Sequence, residues 1–125
     1  MSDLDRRTRG IALYADQFSL SVSEVENHFV ETYGKEFAEE AFQATGGMAW
    51  ESNHLDLRVR SLLVLASLAT LGGVESRIQN HTKWALQHGA TVEEIRSVIT
   101  LVANYAGFAR ASVAMEAVNA ALAEG

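Results

Sequence analysis

Apolar residues recur along this chain at spacings of three and four, and no stretch alternates apolar and polar positions as a half-buried strand would. Proline is absent. The pattern predicts an all-α chain of about six helices. A first helix is expected from Asp3 to Phe18, and "SVSE" (Ser21 to Glu24) has the form of a capping box that opens a second. Gly34 suits the stop of that helix. Lys35 to Thr45 reads as another, with Phe37, Ala41 and Ala44 on one stripe, closed by Gly46 and Gly47.

Asp56 is placed to cap "LRVRSLLVLASLATLG", which from Leu62 onward is apolar almost all round and so predicts burial on several sides. Another helix is expected over Val74 to His88, ended by Gly89. "TVEE" (Thr91 to Glu94) is a second capping box, and its helix carries Ile95, Val98, Ile99, Val102 and Tyr105 on one apolar face. After Gly107 a last helix places Ala111, Ala114, Val118 and Ala121 down one side. Alanine inserts little, so that stripe needs a closely approaching helix. Together with Leu62 to Leu71 it offers more apolar surface than one small bundle covers, which predicts self-association.

The length, 125 residues, fits one domain spanning 1–125 with a compact helical bundle, and 48% hydrophobic residues fits a folded chain. A net charge of −6 argues against nucleic acid as a partner. Arg6, Arg7 and Arg9 read as a solvated helix face. The absence of cysteine excludes disulfides, thiolate metal sites and thiol redox chemistry. The charged N-terminus has no apolar stretch after it, and Leu62 to Leu71 is about half of the ~20 residues that span a bilayer. A cytoplasmic protein with no membrane contact is expected.

The candidate chemistry lies on one helix. Arg77, His81, Trp84 and His88 follow at steps of four, three and four, which places them on one stripe. Charge-capable and aromatic groups in alternation suit a pocket wall or an interface. His81 reads either as a proton-transfer group or as a hydrogen-bonded histidine beside a core. His88, at the helix end, reads as structural. The two lie about 10 Å apart along the axis, too far to share one metal ion, and no other His or carboxylate has ligand spacing, so no metal is expected. Arg58 and Arg60 point to opposite sides of their helix. Arg60, just before the buried run, suits anion binding or a buried ion pair, and Arg58 a surface. Met48, Trp50 and His54 fall in a connecting loop, where Trp50 is either a pocket residue or a core plug. Tyr105 is expected in the core, its hydroxyl reaching a polar neighbour.

From "LDLRVRSL" through His81, "ALQHG", "EEI" and "YAG", the chain resembles the carboxymuconolactone decarboxylase family over roughly residues 3–122. The resemblance implies an all-α bundle assembled as a homotrimeric or homohexameric ring, and cofactor-free decarboxylation of a lactone acid in aromatic catabolism. It implies His81 as the catalytic group, with Arg60, Trp50, His54, Arg77 and Trp84 as substrate-binding candidates. The related alkylhydroperoxidase D-like proteins carry two cysteines where this chain has Val74 and Arg77, so thiol peroxidase chemistry is excluded. The decarboxylase pattern Gly-Glu-x-Trp-x-Arg-Pro-Gly-Leu-Asp is met here by "GMAWESNHLD". Gly47, Trp50, Leu55 and Asp56 match it, while Met48, Ser52, Asn53 and His54 replace Glu, Arg, Pro and Gly.

Loss of carbon dioxide without a cofactor needs an electron sink in the substrate, an anchor for the remaining carboxylate and a proton for the new carbanion. Arginine suits the anchor because its planar fork pairs with carboxylate. Histidine suits the proton. The expected activity is thus a cofactor-free carboxy-lyase acting on a small carboxylated lactone or enol acid. An isomerase of a related unsaturated acid, or a ligand-binding member that has lost catalysis, are the alternatives.

Overall fold

The computed structural model describes residues 2–124, and among these every regular element is helical. Intrachain packing groups the chain into two compact units, Met1–His54 and Leu55–Gly125, each with its own core.

In the first unit, α1 (Asp3–Phe18), α2 (Val22–Tyr33) and α3 (Lys35–Thr45) have the expected bounds, and α4 (Met48–Glu51) is a single turn. The Ser21–Glu24 capping box is formed, each residue's side chain accepting from the other's amide. Gly34 ends α2 at φ +90, a backbone setting that L side chains resist. Ile11, Val25, Phe29, Ala38 and Phe42 make the core, with the Tyr14 ring 4.5 Å from that of Phe29. α1 and α3 touch backbone to backbone: a β-carbon on Gly10 would stand 1.9 Å from the Phe42 carbonyl oxygen, and one on Gly46 would stand 1.7 Å from that of Arg6.

Two expectations for this unit are corrected. The buried stripe of α3 is Ala38 and Phe42; Phe37 and Ala44 are exposed, because the face is set by contact with α1 and α2. The arginines of α1 are not a solvated face. Arg7 donates to Glu39 at 2.7 and 2.9 Å and to Glu26 at 2.5 Å, so it ties α1 to α2 and α3. Arg9 donates through Nε and Nη2 to the Gly46 carbonyl at the end of α3, at 3.2 and 3.0 Å.

The second unit holds α5 (Leu57–Leu71), α6 (Glu75–Gln87), α7 (Val92–Ala106) and α8 (Phe108–Ala123). The Asp56 carboxylate accepts from the Val59 amide at 2.8 Å, and the Thr91–Glu94 box opens α7. Leu65, Ala69, Ile78, Ile95, Ile99 and Val118 are the middle of the core. The alanine stripe of α8 is buried within this unit, against α6 and α7. It is therefore already covered, and the expectation that it contributes surface for self-association is corrected. α5 is buried along Ser61, Leu65 and Ala69 but leaves Leu63 and Leu71 exposed, so its burial is one-sided in the single chain. Tyr105 is also corrected: it is 89% exposed, because α7 turns its buried face through Ile95, Ile99, Val102 and Ala103.

Candidate functional site

The predicted stripe of α6 is present, and its members differ in environment. Trp84 is fully buried, His81 and His88 are half-buried, and Arg77 is exposed. The indole lies between the two imidazoles: His81 is 5.7 Å away, centroid to centroid, and His88 is 4.6 Å away. An aromatic wall of this kind limits water on one side of each ring.

Electrostatics separates His81 from an ordinary surface histidine. Burial pushes its imidazole down to about 4, and the positive charge of Arg77 one turn earlier adds to the shift. His81 is therefore neutral near pH 7. It offers a lone pair and does not hold a proton in reserve, which refines the expectation drawn from the usual value near ~6.5.

His88 closes α6 as its C-cap, at the helix end where the sequence places it. Its Nδ1 lies 2.8 Å from the hydroxyl oxygen of Ser61 on α5. Sequence reading missed Ser61. The signal was available: Ser61, Leu65 and Ala69 follow at steps of four on the one buried face of α5, and a hydroxyl there requires a polar partner.

Arg60 and Arg58 diverge as predicted. Arg60 is buried and its Nη1 donates to the Leu55 carbonyl; Arg58 pairs with Glu94 at half-exposed positions. Arg60, Arg77, His81 and Trp84 all belong to the second unit. Trp50 and His54 belong to the first. Trp50 is not in a loop but on the single turn α4, where four residues after Gly47 close one helical turn. It lines a groove of about 330 Å³ with Arg9, Ala12, Leu13, Asp16 and Glu51. His54 is exposed in the segment after α4.

Among the described residues, no group of three His, Asp or Glu side chains is arranged to hold a metal ion, and no helix is long and apolar enough to cross a membrane. The arrangement on α6 can accept a proton at His81, one turn from the Arg77 cation.

Two comparisons bear on this geometry. A family model described as the carboxymuconolactone decarboxylase family matches residues 36–120, a span that includes α5, α6 and the whole His81 stripe. The uncharacterized protein MJ1511 of Methanocaldococcus jannaschii is 41% identical over 64 residues, which are 51% of this chain and 59% of that protein. The chain thus spans less than two thirds of the length of that relative.

Proposed function

Because the chain belongs to the carboxymuconolactone decarboxylase family, we propose that it is a cofactor-free carboxy-lyase for a small carboxylated lactone or enol acid, with His81 as its proton-transfer group. The observation that carries this reading is the half-buried, neutral imidazole of His81 set between Arg77 and Trp84. Decarboxylation consumes one proton: the carbon–carboxylate bond breaks, its electron pair passes into the conjugated carbonyl, and a proton then goes to carbon. His81 is neutral in the free protein, so that proton is taken up with the substrate. Burial is the larger cause of the lowered His81 value; a substrate carboxylate beside Arg77 offsets the lesser one, the Arg77 charge, and adds a negative charge that favours the imidazolium. Arg60, Arg77 and Trp84, in the same unit as His81, are the substrate-binding candidates of this site; Trp50 and His54 are candidates on the resemblance alone.

The assay is release of carbon dioxide from 4-carboxymuconolactone, with His81→Ala beside the wild type. The expected result is turnover by the wild type and a loss of roughly 10²–10⁴ in kcat for the variant. A wild type that binds the lactone acid without releasing carbon dioxide would overturn the lyase reading. It would favour isomerisation or simple ligand binding, which the replacement of the pattern's Glu and Arg by Met48 and Ser52 supports.

The same resemblance, together with exposed Leu63, Leu71, Leu101 and Tyr105, supports assembly of the chain as a homotrimer or homohexamer.

A further inference from the structure

The second unit carries a groove of about 330 Å³ between α7 and α8, away from the α6 stripe. Ala103 and Ala111, four residues either side of Gly107, form its floor with Ile99, and neither alanine has the reach to fill the space between the helices. Met115 and the 70% exposed ring of Phe108 wall it. The rim is polar, and its hydrogen bonds give it a character. Thr100 donates its hydroxyl hydrogen to the Arg96 carbonyl and Ser112 donates to that of Ala109, each at 2.9 Å. A hydroxyl has one hydrogen, so both oxygens have only lone pairs left for the groove. Glu116 stands one turn beyond Ser112 on α8, and among the described residues its carboxylate has no ion-pair or hydrogen-bond partner. Arg96 on α7 donates Nη2 to the Asn119 side-chain oxygen at 3.1 Å and not to Glu116, which leaves the Asn119 amide nitrogen as a donor on a rim of acceptors.

We propose that this groove binds a small primary amine with an apolar body, its ammonium at Glu116, Ser112 and Thr100 and its carbon chain over Ala103 and Ala111 beside Phe108. Each part of the ligand answers a part of the site. An ammonium carries three N–H donors and no acceptor, which matches three acceptors on one rim. A carboxylate ligand would meet Glu116 as a like charge. A quaternary ammonium has the charge but no hydrogen to give Thr100 or Ser112. The apolar floor selects the chain, because apolar carbon gains by leaving water there. The volume is on the scale of small-molecule sites, and the net charge of −6 favours the approach of a cation. The site shares no residue with the α6 stripe and does not rest on the lyase reading.

The test is carbon-13 NMR of the methionine methyl groups in the full chain, titrated at pH 7 with hexylamine, hexanol and hexyltrimethylammonium. Met115 lines the groove, and exposed Met48 lies in the first unit, so one methyl reports this site and the other reports binding elsewhere. Hexylamine should move Met115 saturably and leave Met48 in place, and the other two probes should bind more weakly. Glu116→Gln should weaken hexylamine about fivefold, the scale of a partly exposed ion pair, while hexanol is unaffected. Phe108→Ala, at an exposed position, should weaken all three probes with the helical content intact by circular dichroism. Hexylamine bound no better than hexanol, or bound equally by Glu116→Gln, overturns the proposal. Equal movement of Met48 and Met115 overturns it too, as general attraction to an acidic surface. A Met115 methyl that no probe moves, as when a second copy of the chain fills the groove, likewise overturns it. None of these readouts depends on turnover, so failure of the lyase reading leaves them unchanged.

Discussion

The imidazole of His81 is inclined at 59° to the indole of Trp84, with ring centres 5.7 Å apart, so the ring leans on a fully buried neighbour. That burial has a thermodynamic consequence. The folded protein holds His81 at about 4 against an ordinary 6.5, so the unfolded chain binds a proton there more readily than the folded one. The resulting stability is complete above about pH 6.5 and declines as the pH falls towards about 4, below which both states are protonated. The full difference is at most about 3 kcal/mol. In urea unfolding, the stability difference between wild type and His81→Gln should shift against the wild type across this window. Arg77→Gln should move the lower edge of the window upward. Parallel pH profiles for wild type and His81→Gln would show that the ring is not held down by its site.

Much of this was readable from residues. Both capping boxes and the Asp56 cap are local, set by side chains that bond amides three residues away, and local chemistry survives in sequence; α3 has no side-chain cap and is bounded by Gly34 and Gly46. The stripe of α6 was equally plain, since helical period alone aligns Arg77, His81, Trp84 and His88. What was not legible depends on neighbours distant in sequence. Tyr105 continues an apolar period yet is exposed, because the last turn of α7 buries Val102 and Ala103 and turns Tyr105 away from that face. Phe37 yields the core to Phe42 because α1 meets α3 on the other side. The Ser61–His88 bond joins residues 27 positions apart, and only the packing of α5 on α6 brings them together.

The Arg7 cluster should respond to acid. Hydrogen bonding to Arg7 holds the Glu39 carboxylate below its ordinary 4.5, so the pair contributes stability above that value, which is lost as the pH falls through the lowered one. The side chains are about a third exposed, which limits the contribution. With the guanidinium also 5.8 Å from the Phe42 ring centre, Arg7→Gln should cost about 1–2 kcal/mol at pH 7. The difference should shrink at pH 3. A variant equally destabilised at both values would assign the loss to packing of the arginine stem.

Gly10 tests the contact of α1 with α3. An alanine would be the better helix former by about 1 kcal/mol. Its β-carbon, however, would meet the Phe42 carbonyl at 1.9 Å, and backbone cannot step aside as a side chain can. Gly10→Ala should therefore destabilise by at least about 2 kcal/mol, the scale of an overpacked core. Thermal melting checks it, and a melting point at or above that of the wild type would refute the close approach.

The last prediction separates the exposed face of α7 from the buried stripe of α8. Leu101 and Tyr105 are 59% and 89% exposed and stand one turn apart on α7, so both sides of a subunit contact would find them on one surface. Ala114, at 1% exposure, is interior to the second unit. If the chain assembles through the α7 face, the double variant Leu101→Lys with Tyr105→Lys should release 13.6 kDa monomers whose helical content persists. Ala114→Glu should instead lose the fold, since an unpaired buried carboxylate costs several kcal/mol. Light scattering and circular dichroism on the same samples distinguish the two. An oligomer that survives both lysines would place the contact elsewhere, with exposed Leu63 and Leu71 on α5 as the next surface to alter.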